Sequence, residues 1–312
     1  MLKTKNRWAT FSLVTITAVW GLTFPLIKGS VKSIPPFTFV SLRFWIGALF
    51  ILMSGRVLAS RSKETSGKRA GEFKAGAILG LALFAGYSLQ TVGLQFTSAS
   101  NGGFLTALSV ILVPMISLLS GHRIGAFSWA GISLSVIGVA FLTLTSSFVL
   151  NSGDLLMIGC AIAFAIHIVL VGKYSSQFDP VKLAFIQVFI CAILAGIASL
   201  IFERDQTLNA GFETSALGSM VFCGVGATGI AYLVQNMAQR YSSPVKTALI
   251  FTCEPVFGAI FSAWYAGEVM SHQQVIGGVL MILAMILAEA GPQIWGALMA
   301  LKLNPRASDQ ER

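Results

Sequence analysis

The feature that most constrains this chain is a succession of ten apolar blocks, each about 20 residues long. They cover residues 8–27, 35–54, 75–95, 99–119, 125–145, 153–172, 181–202, 215–238, 245–266 and 271–290. A helix rises about 1.5 Å per residue, so each block can cross roughly 30 Å of hydrocarbon. Leu, Ile, Val, Phe, Ala and Gly fill the blocks without period-two alternation, which argues against a transmembrane barrel. Composition excludes the soluble alternatives. Of 312 residues, 55% are hydrophobic and 11% charged, whereas soluble domains carry roughly 25% charged residues. That leaves too little polar surface for a soluble enzyme, a disordered chain or a disulfide-rich scaffold. The expected fold is an all-α integral membrane protein with ten transmembrane helices.

The formal net charge of +9 raises the question of a polyanionic partner, and its distribution decides. With ten spans and the N-terminus inside, 17 of the 21 Lys and Arg residues fall in or beside inside segments. Lys28, Lys32 and Arg204 fall outside, and Arg43 lies within a span. Positive residues accumulate in cytoplasmic loops, so both termini are read as cytoplasmic, in a multi-pass protein of the inner (plasma) membrane. The excess charge is a topology signal. Nucleic acid is therefore not an expected partner. The lipid bilayer and a small-molecule substrate are, for a chain acting as monomer or homodimer. Lys3, Lys5 and Arg7 precede the first block as in a secretory signal, but no small-x-small cleavage site follows, so this is read as an uncleaved span. Cys160, Cys191, Cys223 and Cys253 lie inside blocks without metal-ligand spacing. They read as packing residues, with no metal or cofactor expected.

The chain also repeats itself. Tyr87-x-x-Gln90 recurs as Tyr232-x-x-Gln235 at an offset of 145, and Lys28 recurs as Lys173 at the same offset. Pro36 and Pro180, and Ser98 and Ser242, match at 144, while Gly131 and Gly277 match at 146. Five matches at nearly constant offset describe a duplication: residues 1–150, residues 151–292, and a cytoplasmic tail, 293–312. A unit of five helices ends on the side opposite its start, so the second copy inserts upside down. Inverted repeats of this kind recur in secondary transporters, where the two halves exchange conformations around a central cavity.

Trp20-Gly21-x-x-Phe24 with Lys28, Pro36 with Arg43, Thr97-Ser98-Ala99-Ser100, Glu254-Pro255 and Gly267-Glu268 occur in this order across the two repeats. In that order they resemble the EamA-type family of the drug/metabolite transporter superfamily, over roughly residues 8–290. The resemblance implies a ten-helix exporter-like fold with a cavity lined mainly by helices 1, 3, 4, 6, 8 and 9. It also implies small-metabolite substrates, amino acids among them, and use of the proton gradient. The halves differ at one point: Val110-Ile111 stands where the second repeat has Glu254-Pro255.

Polar groups in hydrocarbon are costly, so each is a functional candidate with a structural alternative beside it. Arg43 sits mid-span, where an arginine costs about 2.5–3.5 kcal/mol on insertion scales. Its donors need a substrate carboxylate, Glu254 or backbone carbonyls, and a tie between helices is the competing reading. Its repeat mate is Gln187, which is neutral. Glu254 is the one carboxylate well inside a span, and Pro255 is expected to kink the helix beside it. It is the candidate for proton coupling or for a substrate ammonium, against a role in capping freed backbone groups.

His167 lies mid-span as a proton carrier or a hydrogen-bonded interior histidine. Gln90 and Gln235 are symmetry mates, as are Tyr87 and Tyr232 one turn away, so all four should face a shared cavity with Asn101 and Asn236. Trp20, Phe24 and Phe104 add apolar wall. Glycines Gly76 and Gly80 in the third helix, and Gly224, Gly226 and Gly229 in the eighth, allow close packing or sliding. Neither a dinucleotide nor a Walker spacing occurs, so transport would be secondary. The expectation is a secondary transporter exporting a small metabolite such as an amino acid. Rivals are an importer of sugar- or nucleotide-type metabolites, a lipid-intermediate flippase and, more remotely, an intramembrane enzyme; His122, His167 and His272 are too dispersed to favour the last.

Overall fold

Three helices begin on a proline: α2 (Pro36–Met53), α8 (Pro180–Phe202) and α12 (Pro244–Phe251). Proline lacks an N–H that the first turn would leave unpaired anyway, and its fixed φ suits the helix. Side chains satisfy other first-turn amides. Asp179 accepts from the Val181 and Lys182 amides ahead of α8, and Asn151 and Asp154 form a reciprocal capping box at α7 (Ser152–Ser175). The amides of Phe37 and Thr38 donate instead to Glu203, each at 2.9 Å, so the end of the seventh span caps the start of the second.

The computed structural model describes residues 2–54, 66–119, 121, 123–143, 151–208, 213–266 and 270–303. Every described element is helical. Numbered after the ten apolar blocks of the sequence, the first span is α1 (Leu2–Ser30) and the third is α3 (Ser66–Phe96). The fourth is two pieces, α4 (Ala99–Ala107) and α5 (Ser109–Leu119). α6 (Ala126–Thr143) is the fifth, and a short α9 (Arg204–Leu208) follows α8. The eighth span comprises α10 (Thr214–Gly224), a π-helical turn over Val225–Ile230 and α11 (Ala231–Ala238). α12 and α13 (Glu254–Ala266) make the ninth, and α14 (His272–Leu303) the tenth.

Among the described residues nine helical segments are long and apolar enough to cross a membrane, and Ala126–Phe141 in the fifth span is apolar but shorter. Several helices overrun their apolar blocks. α3 starts at Ser66, and α14 runs on to Leu303, so the tail expected from residue 293 begins as helix. Hydropathy locates the hydrocarbon, whereas good helix formers continue the helix beyond it. Large apolar side chains such as Phe11, Met53, Leu81, Leu200 and Trp264 point outward, as they do in a protein whose solvent is lipid. All four cysteines are buried and free.

The packing has a regular pattern. The third span packs on the sixth and the eighth on the first; the third packs on the seventh and the eighth on the second. The fourth packs on the sixth and the ninth on the first, while second and seventh, fourth and ninth, and fifth and tenth pair directly. Moving each span number by five turns each of these pairs into itself or into another of them.

The Gly76-x-x-x-Gly80 motif is the seat for α8. A Cβ on Gly80 would lie 2.7 Å from Ile190 Cβ and 2.9 Å from the Gln187 carbonyl, and one on Gly76 would lie 2.6 Å from Ile186 Cγ2. These distances leave no room for any larger residue. Gly80→Val is expected to lower stability by about 1–3 kcal/mol through overpacking. Gly29→Ala, where nothing lies within 4 Å of the added atom, should leave it nearly unchanged. Thermal unfolding of the detergent-purified variants measures both; equal stability of the two would remove the close-packing account.

Candidate functional site

Two helices break in the interior. The fourth span is interrupted at Leu108, whose N–H donates to the Leu105 carbonyl at 3.2 Å. The ninth is interrupted at Thr252 and Cys253, and the Cys253 N–H donates to the Ile250 carbonyl at 3.1 Å. Both breaks use the tighter i to i+3 pattern, and they fall at positions matched by the sequence repeat. Pro255 removes an amide that an unbroken ninth helix would need, so that interruption is where the sequence places it. The break at Leu108 has no such signal, since Pro114 lies further on in α5. The broken helices cross, with α4 against α13 and α5 against α12.

At this crossing lies a cavity with about 600 Å³ of empty space, its open mouth included. Its lining comes from spans 1, 3, 4, 6, 8 and 9, the set that the family resemblance implies. Of the candidate residues, Trp20, Tyr87, Gln90, His167, Tyr232, Gln235 and Glu254 reach the wall. The sequence reading missed Thr23 and Phe164, each three residues from a candidate and so on its helical face, as well as Phe251 beside the second break and Thr106 and Ser109 beside the first.

The centre of the wall is a pair of repeat mates. The Tyr232 hydroxyl donates to the Tyr87 hydroxyl at 2.8 Å. The Arg43 guanidinium lies over the Tyr87 ring, 4.6 Å from its centroid. The His167 ring stands edge-on to Tyr232 at 5.8 Å, and its Nε2 is 2.7 Å from Gln187 Oε1. Because Gln187 is the repeat mate of Arg43, each tyrosine is backed by a nitrogen-bearing group that depends on this second- or seventh-span position. In one half the arginine makes the contact itself. In the other the glutamine acts through a histidine.

Arg43 does not line the cavity; it is fully buried behind Tyr87. Its Nε donates to Thr228 Oγ1 at 2.8 Å and its Nη2 to the Ala227 carbonyl at 3.4 Å, while Nη1 has no hydrogen-bond partner among the described residues. Both acceptors belong to the π-turn, which widens the ladder and frees its groups for side chains. The same Ala227 carbonyl accepts from Trp20 Nε1 at 2.8 Å. The geometry therefore selects backbone and hydroxyl acceptors for Arg43. Among the described residues no ion pair joins it to Glu254.

Glu254 is the first residue of α13, half-buried, with its side chain at the wall. Phe24 packs instead in an apolar cluster with Ile27, Leu94, Leu105 and Met157, and Phe104 lies against two such clusters. Asn236 also turns away, because the residue after Gln235 is rotated by about 100° around the helix. Its Nδ2 donates to the Tyr232 carbonyl at 2.8 Å, and it accepts from Ser175 at 3.4 Å. The side chain of Asn101 lies outside the described residues, as do His122 and the Gly267-Glu268 pair. Among the described residues no group of three His, Cys, Asp or Glu side chains could hold a metal ion.

Comparison with known proteins agrees with this architecture. The model of the EamA-like transporter family matches residues 7–144 and again residues 151–289. An uncharacterized transporter of Archaeoglobus fulgidus is 34% identical over 286 residues, covering 91% of this chain and 87% of that one. The Bacillus subtilis transporter YoaV is 24% identical, covering 86% of this chain and 92% of its own. One solved crystal structure superposes with a TM-score of 0.73 at 18% identity, over 90% of this chain and 95% of that one, so the fold is shared. Apolar helices of spanning length, a cavity between broken helices and two matches to one family along most of the chain have one common account: the protein is a multi-pass membrane protein and belongs to the EamA-like transporter family.

Proposed function

We propose that the chain is a secondary active transporter of the inner membrane that exports a small, partly hydrophobic metabolite by alternating access. The observation that carries the reading is the cavity where two interior helices break at repeat-matched points. Discontinuous helices surrounding a midplane cavity are the usual arrangement of such transporters, since irregular backbone is tolerated at that depth where it lines a cavity.

Ten spans in two inverted five-helix repeats, with both termini cytoplasmic, complete the proposal. The two family matches support it, each taking in five apolar blocks, as do packing pairs that map onto one another when each span number moves by five. In this reading the fifth span also crosses. Ala126–Phe141 rises only about 24 Å, a shortfall that local thinning of the bilayer accommodates. Residues 1–150 and 151–292 are the two rocking halves. Export is the direction implied by the family resemblance. Proton coupling is assigned to Glu254, the one carboxylate among the lining residues.

Purified protein in sealed vesicles should catalyse counterflow of at least one amine, amino acid or similar metabolite above empty vesicles. A broad panel without counterflow would sink the transport reading. In Glu254→Gln, proton-driven flux should fall about tenfold or more while solute exchange persists; unchanged coupling would remove Glu254 from that role. The Tyr87–Tyr232 hydrogen bond joins the two halves at their centre. Tyr87→Phe and Tyr232→Phe should each cost about 1 kcal/mol, with the double variant no worse than either alone. Additive losses in unfolding measurements would mean that the two hydroxyls do not act as a pair.

A further inference from the structure

The wall of the cavity has an unequal charge. Among its lining residues Glu254 is the one carboxylate, and neither Lys nor Arg reaches it. Arg43 lies behind the wall and does not reach it: it is fully buried, with Nε and Nη2 on the π-turn and Nη1 without a hydrogen-bond partner among the described residues. His167, the remaining basic side chain on the wall, has its Nε2 against Gln187 Oε1. A bound carboxylate would face neutral hydroxyls and amides and also the charge of Glu254. A charge in a low-dielectric site needs a direct partner of opposite sign, and among the lining residues Glu254 faces no Lys or Arg, so the occupant should supply it.

The aromatic rings favour the same sign. Phe251 lies three residues before Glu254, and the rings of Trp20 and Phe251 meet edge to face at 5.0 Å. The first span comes especially close here: a Cβ on Gly21 would lie 2.7 Å from the Glu254 carbonyl, so only glycine brings Trp20 this near to the ninth span. Glu254 shares the cavity wall with Trp20 and Phe251, and a carboxylate together with electron-rich rings makes a site for an ammonium group, which both attract once water is excluded. Tyr87 is different, since Arg43 already covers one face of its ring. The cation therefore belongs at the Glu254 corner, and the rest of the solute lies toward Tyr87 and Gln90.

We propose that the solute is an organic monocation, an amine whose ammonium sits between the Glu254 carboxylate and the rings of Trp20 and Phe251. The inference rests on the transport reading and narrows it. A zwitterionic amino acid would bring a carboxylate for which the wall holds no cation. A simple amine neutralises the site.

Three compounds with one ring and similar length separate the possibilities: phenethylamine, phenethyl alcohol and L-phenylalanine. Each is titrated calorimetrically into the full-length protein in detergent, then tested for counterflow in vesicles. The amine should bind about tenfold or more tightly than the alcohol and the zwitterion, a margin of about 1.4 kcal/mol. In Glu254→Gln that preference should disappear while the alcohol binds as before, which also reports that the variant is folded. Tighter binding of L-phenylalanine or of the alcohol overturns the proposal, as does an amine preference that survives Glu254→Gln. Counterflow of L-phenylalanine without that of the amine overturns the cation assignment and leaves the transport reading standing. Absence of both binding and counterflow across these and the wider metabolite panel overturns both.

Discussion

Inside a bilayer no water is available to pair with backbone amides and carbonyls, and each group left unpaired costs several kcal/mol. That constraint organises the molecule. Most of the chain meets it with continuous helix, and the departures within spans are concentrated in a few places. Leu108 interrupts the fourth span, Thr252 and Cys253 the ninth, and the π-turn over Val225–Ile230 widens the eighth. All three border the cavity or the side chains that back its wall. Tightened i to i+3 bonds close the first two, and the third gives its acceptors to Trp20 and Arg43. Irregular backbone is thus placed where side chains or a solute can satisfy it.

The π-turn also answers how an arginine is tolerated at mid-membrane depth. A guanidinium needs several acceptors in one plane, which a regular helix does not present because its carbonyls are engaged along the axis. Thr228 Oγ1 and the Ala227 carbonyl supply two of them, and the Tyr87 face adds a cation–π contact. Arg43 thereby ties the second span to the eighth. It also fixes the tyrosine that pairs with Tyr232, so a side chain outside the cavity determines the shape of its wall.

How much of this is legible in the sequence depends on the kind of signal. Hydrophobic blocks mark the spans because lipid selects on composition along about 20 residues. Repeat matches bring Tyr87 together with Tyr232, since symmetry places mates on the same axis. The kink near Pro255 is legible because proline acts locally. The break at Leu108 is not, as no nearby residue forbids helix there; its place is evident only from the repeat. Arg43 reads as a mid-span charge in search of an acceptor, but its partners depend on a π-turn that the three glycines of the eighth span permit without specifying. Asn236 is misplaced by a single step of helical rotation, an error that composition and depth cannot reveal. Phe164 is legible in retrospect from its three-residue spacing to His167.

The duplication explains the geometry, and the departures from it explain the chemistry. Breaks, tyrosines and glutamines occur in matched pairs, so exchanging the roles of the halves would produce a second arrangement with many equivalent contacts. Two arrangements close in energy are what a solute must find if modest differential binding is to shift one to the other. The charged groups break the pairing: Arg43 faces a glutamine mate and Glu254 a valine mate. Gln187 cannot make the charged contact that Arg43 makes, and it bonds His167 instead. The two arrangements would therefore be closed by different chemistry, and their populations would respond to a charge entering the cavity. In the transport cycle proposed above, matched backbone would allow two states, and unmatched side chains would give the occupant a means of choosing between them.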